Sequence, residues 1–476
     1  MGKRTEKDSM GEVKVPEDAY YGSFTSRALE NFKITPENTH EEFYHALGQI
    51  KKAAAQVNNE IGNLEDEKAD AIVKASEQVV EGDFDDEFVL DPIQAGAGTP
   101  FHMNANEIIA NRATEILGGE KGEYTVHPND HVNIGQSSNN VIPTAVRLAC
   151  LQLSDRLIEE LDSLEETFRQ KASQFEEIVK VGRTHLQDAV PVGLGQEFGA
   201  YATVCSKAKE RIERSRQDLL EIGLGGNAIG TGINTSPDFR EKLASRLSEV
   251  AGRDLRASND PINTTQFMSE FVEFSSSITA FASDMIKLSD DLMMLCSGPV
   301  AGIGEIDLPE VEPGSSIMPG KVNPSIVEAF KMSCIQAKAN ESAVRSCAEH
   351  GDLDMNVMAP LIARNLFHML KMLENSLEML RKRCIEGIEA DEDRIEEFFE
   401  GSTATATALS PYIGYHRTAE LVRTALSQDK TIKEVAIDRR ILTEQEAEEI
   451  LDPDNMTQPS GIDQQLRRKI QDRLED

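Results

Sequence analysis

The 476-residue chain contains no tryptophan, and aromatic residues make up only 5% of it. Basic residues are scarce too: 49 Lys and Arg stand against 83 Asp and Glu, a net charge of −34. With no basic excess to neutralise phosphates, nucleic-acid binding is disfavoured, and so is docking on an anionic membrane. No run approaches the ~18 apolar residues that span a bilayer. The N-terminal MGKRTEKDSM lacks the apolar core of a signal peptide, and Glu6 stands where a myristoylation signal needs Ser or Thr. Six cysteines (Cys150, Cys205, Cys296, Cys334, Cys347, Cys384) are scattered without a CxxC spacing, which predicts reduced thiols rather than a disulfide frame. A cytoplasmic protein is the expectation. The acidity reads as salt adaptation, with dense carboxylates keeping the surface hydrated.

Strand signals are few as well, with no alternating series and no βαβ rhythm. Helix dominates. Between 265 and 296, Phe267, Phe271, Phe274, Ile278, Phe281, Met285, Leu288, Leu292 and Leu295 recur in steps of four and three. That is the seam of a helix packed along its length in a bundle. A second long helix is predicted over 148–179, with Leu151, Ile158, Leu161, Leu164, Phe168 and Phe175 on one side. Further helices are predicted over 41–62, 196–222, 325–347 and 361–384. Glycine and proline cluster at 91–100, 181–195, 223–237 and 298–324, and these clusters punctuate the helices. At ~150 residues per domain the length suggests about three domains. The predicted division is an N-terminal helical domain over 1–136, a central long-helix bundle over 137–390 and a small C-terminal helical domain over 391–476.

Two glycine motifs fail on inspection. Gly314-Ser-Ser-Ile-Met-Pro-Gly320-Lys321 has five residues between its glycines where a phosphate loop has four, and Val322 replaces the required Ser or Thr. Gly223-Leu-Gly225-Gly226 lacks the third glycine of a dinucleotide fingerprint and no strand precedes it. His127 and His131 stand four apart, but Pro128 follows the first and there is no HExxH frame. Neither a cofactor nor a metal is expected.

The most informative stretch is Glu312-Pro-Gly-Ser315-Ser316-Ile-Met-Pro-Gly320-Lys321-Val-Asn323-Pro324. A loop of this composition can close over an anionic substrate, with Lys321 supplying charge and Asn323 directed hydrogen bonds. The segment resembles the signature of the aspartase/fumarase superfamily, and other blocks follow in the same order as in that family. They are Tyr20-Tyr21-Gly22 with Arg27 and Glu30-Asn31-Phe32, Gly96-Ala97-Gly98-Thr99 with Met103-Asn104-Ala105-Asn106-Glu107, His127-Pro128-Asn129-Asp130 with Gln136-Ser137-Ser138-Asn139, and Gly182-Arg183-Thr184-His185-Leu186-Gln187-Asp188. The resemblance implies an all-α, three-domain fold with a central bundle of long helices at the core of a homotetramer, three chains completing each site.

It also implies a lyase that releases fumarate from a C4 dicarboxylate. The proton lost lies α to a carboxylate, and its removal makes a dianionic aci-carboxylate, so the site must stabilise extra charge on carboxylate oxygens. The resemblance assigns the base to Ser315, which needs its alkoxide stabilised by backbone N–H groups and a nearby cation. By the same resemblance Thr99, Ser137, Ser138, Asn139, Thr184, Lys321 and Asn323 bind substrate, and His185 is the active-site histidine held by Glu328. His127, Asn129 and Asp130 resemble a secondary carboxylate site.

Two leaving groups stay open at this stage: ammonia from L-aspartate, the favoured reading, or water from L-malate. Ala97, Tyr20-Tyr21-Gly22, 211–221, 356–360 and Met456-Thr457 favour the first; Ser138 and the His127 block favour the second. Asn140 and Pro100-Phe101-His102 depart from both patterns. Phe101 and His102 are expected to make a bulkier wall at the leaving-group pocket, which leaves room for a different leaving group.

Overall fold

The computed structural model describes residues 2–475, the side chain of residue 454 excepted. The chain opens with a hairpin of β1 (Lys3–Asp8) and β2 (Gly11–Pro16), paired antiparallel, which the composition did not signal. Helices follow: α1 (Ser23–Asn31), α2 (Glu41–Glu60), α3 (Asp66–Val80), α4 (Thr99–Ile116) and α5 (Ser138–Gln174). A second antiparallel hairpin, β3 (Val179–Thr184) and β4 (Gln187–Gly193), leads into α6 (Leu194–Ser215). Then come α7 (Phe239–Ala251), α8 (Pro261–Gln266), α9 (Ser269–Leu295), α10 (Ser325–Glu349), α11 (Ala359–Arg383) and α12 (Glu392–Gly401). Short helices from Ala406–Ile413 to Gln464–Glu475 complete the described chain.

The fold is all-α in character. The predicted seam is real: Phe271, Phe274, Ile278, Phe281, Met285, Leu288, Leu292 and Leu295 are all buried along α9. Phe267 is a correction. It lies between α8 and α9 in extended backbone and is 56% exposed. The 148–179 helix begins ten residues earlier than predicted, at Ser138, and carries Pro143 inside it. The predicted 196–222 helix ends at Ser215 and passes into a 3-10 turn, Arg216–Leu220.

Two compact units divide the chain. The first holds Met1–Glu160, Ala208–Ser283 and Met332–Ser376; the second holds Leu161–Lys207, Asp284–Lys331 and Leu377–Asp476. In the first, α2 presents Phe43, Leu47, Ile50, Ala54 and Val57 at helical spacing, all buried, and packs on α3 and α7. Glu41 and Glu42 in its first turn complement the helix dipole. α4 is enclosed: every residue from Pro100 to Asn111 is buried. Its Glu107 carboxylate caps α1, accepting from the backbone N–H of Gly22 (2.9 Å), Phe24 (2.8 Å) and Thr25 (3.1 Å) and from the Thr25 hydroxyl (2.7 Å). Burial pushes that carboxyl above its ordinary range, while these four donors pull against the shift. This contact ties the Tyr20-Tyr21-Gly22 block to the Met103–Glu107 block. In the second unit, Ile306–Asp307 pairs antiparallel with Glu389–Ala390, and the C-terminal helices close over a core of Leu409, Leu421, Ile432, Val435, Ala447 and Ile470.

Candidate active site

The first unit holds Thr99, His127, Asn129, Asp130, Ser137, Ser138 and Asn139. Thr99 and Ser138 are the first residues of α4 and α5. The turn before α4 is left-handed at Ala97 (φ 59°) and Gly98 (φ 69°). A Cβ on Gly98 would stand 3.1 Å from the Ile142 side chain, so glycine lets the start of α4 approach α5 closely. The Ser138 hydroxyl meets His102 Nδ1 at 2.9 Å, which joins the two helix starts directly. At the α4 start Pro100 has no N–H and the Phe101 N–H donates to Gln94 Oε1 (3.2 Å), and at the α5 start the N–H groups of Asn139, Asn140 and Val141 go to Ser137, so what the two starts offer a carboxylate is the positive end of each helix dipole. The Ser137 hydroxyl accepts the Asn139 N–H at 3.3 Å, and Asn139 Nδ2 donates to the Ala228 carbonyl at 2.6 Å. Asn140 is buried and donates to the Thr265 hydroxyl at 3.3 Å.

His127 starts a π-helical turn, Pro128–Val132, and its Nδ1 accepts from the N–H groups of Asn129 (3.3 Å) and Asp130 (3.2 Å). His131 beside it is pushed below the ordinary histidine range by burial and by Lys68.

Phe101 corrects an expectation. It is 1% exposed and packs edge-on against Phe43, ring centres 5.3 Å apart; it fills the core rather than walling a pocket. His102 is equally buried, and behind it stands Lys51, which the sequence reading missed. The Lys51 ammonium position lies 2.5 Å from His102 Nε2, 2.8 Å from Gln136 Oε1 and 3.3 Å from Asn133 Oδ1. A lysine four residues after Leu47, on the apolar face of α2, was the available signal.

The second unit holds Thr184, His185, Ser315, Lys321, Asn323 and Glu328. Thr184 and His185 sit at the exposed tip of the β3–β4 hairpin. His185 and Leu186 both have positive φ, 55° and 60°. Non-glycine residues rarely adopt that conformation, and it recurs at functional turns. The hairpin is anchored through Glu305, wholly buried, which Arg183 meets at 2.7 Å and Lys180 at 2.9 Å.

The 312–324 loop folds on itself. Asn323 Nδ2 donates to the Gly314 carbonyl at 2.6 Å, and Lys321 Nζ donates to Asn323 Oδ1 at 2.6 Å. A Cβ on Gly314 would lie 1.9 Å from the Lys321 carbonyl oxygen, so only glycine fits this neck. Inside the closed loop, Ser315 Oγ accepts from the backbone N–H of Met318 (3.1 Å) and of Ile317 (3.3 Å). Glu328 lies exposed on the first turn of α10. Among the described residues of the single chain no ion pair joins it to His185.

The family model described as "Lyase" matches residues 11–338 of this chain. The chain belongs to the aspartase/fumarase superfamily of lyases. A second family model, "Fumarase C C-terminus", matches residues 406–458. The chain is 43% identical to an aspartate ammonia-lyase of a Bacillus species over 457 residues, covering 96% of this chain and 98% of the relative. It is 45% identical over 458 residues to a class II fumarate hydratase of Halobacterium salinarum, covering 95% and 97%. In three dimensions it matches the crystal structure of recombinant class II fumarase from Schistosoma mansoni with a TM-score of 0.93. That match is 34% identical and covers 97% of this chain and all of the other. No helix among the described residues is long and apolar enough to cross a membrane.

Proposed function

We propose that this lyase carries out the reversible deamination of L-aspartate to fumarate and ammonia. One observation carries the chemistry: Ser315 Oγ already receives two backbone N–H groups. Hydrogen bonds to the charged form favour it, so these donors make an alkoxide at Ser315 more accessible. Ser315 then takes a Cβ proton of aspartate. The electron pair moves onto the neighbouring carboxylate as an aci-carboxylate dianion, and its return expels the amine as the C–N bond breaks. The products are fumarate and ammonia, with the carbon-derived proton leaving Ser315 for solvent. The helix starts at Thr99 and Ser138, with Lys321 and Asn323, supply positive charge and donors where charge develops. Thr184 and His185 bind and orient the substrate, with Glu328 as the partner of His185.

These groups are dealt to two units and lie at exposed or half-buried positions. That supports a homotetramer in which neighbouring copies complete each site and Glu328 meets His185 from another chain. His127, Asn129 and Asp130 form a secondary carboxylate site in this reading.

Hydration of fumarate to L-malate is the second reading, favoured by the 45% identity to a fumarate hydratase. The test of the mechanism is Ser315→Ala. It is expected to lower fumarate release by roughly 10²- to 10⁴-fold, the usual worth of a general base, with an unchanged circular dichroism spectrum. Full activity in that variant overturns the mechanism.

A further inference from the structure

Lys51 is 0% exposed, and among the described residues no carboxylate is bonded to it. Gln136 Nε2 donates to the carbonyls of Val132 (3.0 Å) and Ile134 (3.3 Å), so its Oε1 turns to Lys51 Nζ, 2.8 Å away. Asn133 Nδ2 donates to the Gln136 carbonyl at 3.2 Å, which leaves its Oδ1 facing Nζ at 3.3 Å. His102 Nε2 stands at 2.5 Å, and across the ring Nδ1 meets the Ser138 hydroxyl at 2.9 Å. A line of polar atoms therefore runs from the half-buried start of α5 to an enclosed amine. His102, from α4, is the one titratable group on Nζ; Asn133 and Gln136 are neutral amides. Burial pushes Lys51 well below the ordinary lysine range, with no charged side chain of a neighbouring element acting on it, and burial lowers His102 too.

Two states satisfy this geometry, and they differ by one proton. In the first, Lys51 is a neutral amine. It spends both hydrogens on Gln136 and Asn133, its lone pair accepts from His102 Nε2–H, and Nδ1 accepts the Ser138 hydroxyl proton. In the second, Lys51 is an ammonium whose three hydrogens meet Gln136 Oε1, Asn133 Oδ1 and His102 Nε2. Nδ1–H then donates to Ser138 Oγ, and the Ser138 hydroxyl proton is free to point out of the protein. An empty site favours the first state, because an unpaired buried charge is costly. A carboxylate at the start of α5 reverses the balance. It needs a donor from Ser138, and its negative charge offsets the ammonium behind.

We propose that Ser138, His102 and Lys51 form a proton relay that charges Lys51 when a substrate carboxylate binds at the start of α5. One proton enters from solvent at Ser138 Oγ. The proton that Ser138 held passes to His102 Nδ1, and the Nε2 proton passes to Lys51 Nζ, so every nitrogen and oxygen keeps its valence and nothing is oxidised or reduced. Lys51 is thereby charged without opening to water. His102 and Lys51 act as positioning residues, resting on the reading of Ser138 as a group that binds a dicarboxylate: they turn its hydroxyl into a donor and place a cation behind it. Because binding takes up a proton, affinity falls as pH rises between the value of Lys51 in the empty site and its higher value in the filled one.

The test is calorimetric titration of the full chain with succinate, a C4 dicarboxylate that has no leaving group. Runs in HEPES and in Tris at about pH 7, 8 and 9 span the range below the ordinary lysine value of ~10.4; the difference in heat between buffers counts the protons taken up. The expected result is uptake approaching one proton per site at one or more of these pH values, with affinity weakening up to about tenfold per pH unit there. His102→Leu, Lys51→Met and Ser138→Ala each cut the relay and are expected to bind succinate more weakly, with no uptake and a flat pH profile. A merely structural role would leave the proton count unchanged. Binding by the wild-type protein without uptake overturns the proposal, as does unchanged uptake in any of the three variants. Ser138→Ala lies at a half-buried helix start, so it decides the matter even where a buried variant does not fold. Failure of the underlying reading is seen separately: wild-type protein that binds no succinate, or Ser138→Ala that binds it as tightly as wild type at every pH, removes the carboxylate site and the relay with it.

Discussion

At the residue scale, the chemistry depends on atoms that no other side chain could replace. Gly314 is the clearest case. Its missing Cβ is what lets the Lys321 carbonyl pass and Asn323 lock the neck of the loop that holds Ser315. Gly314→Ala is expected to reduce kcat at least tenfold, because a shift of about 1 Å in a catalytic group costs roughly that or more. The loop is exposed, so the melting temperature should change little; a calorimetric scan beside the kinetics checks both. The residues proposed to react could be named from the sequence because they stand in contiguous blocks whose order is distinctive. Their wiring could not be. Nothing in the row of letters places Lys51 beside His102, 51 positions away, or buries Phe101 against Phe43. Those contacts are set by which face of α2 meets α4, and a helix pattern gives a face without naming its partner.

Elements behave similarly. The α9 seam was readable because eight apolar residues in steps of three and four all needed burial. The break at Phe267 was not, because an exposed phenylalanine in phase with a stripe looks like a member of it. The early start of α5 was masked by Pro143, which usually marks an interruption; here the helix accommodates it near its N-terminus. Among the C-terminal helices, Glu446 is the clasp, with Arg473 at 2.6 Å and Lys469 at 3.0 Å from the last helix. Arg473 above all holds its carboxyl down at about 2, against the opposing pull of burial. A depressed carboxyl stabilises the fold above the unfolded pKa of ~4.3, and that contribution is lost as pH falls toward the folded value. Protection against hydrogen exchange in Gln464–Glu475, taken relative to the intrinsic rate at each pH, should therefore fall between about pH 4.3 and 2. Glu446→Gln should exchange faster at neutral pH and lose that pH dependence. An acid response identical in both proteins would show that the clasp is not the cause.

At the scale of the whole molecule, a net charge of −34 produces self-repulsion that mobile ions relieve. The screening length shrinks from about 10 Å at 0.1 M salt to about 3 Å at 1 M. Assembly of several such chains around shared sites would amplify that dependence, so salt should govern both stability and activity. The central claim is the release of fumarate from L-aspartate. Its most direct test is the ultraviolet absorbance of fumarate, with L-aspartate in one cuvette and L-malate in another, each at high and at low KCl. The account predicts that absorbance rises with aspartate and is greater at high KCl. Fumarate from malate alone would make the chain a hydratase and contradict the assigned leaving group, and fumarate from neither would contradict the substrate class itself.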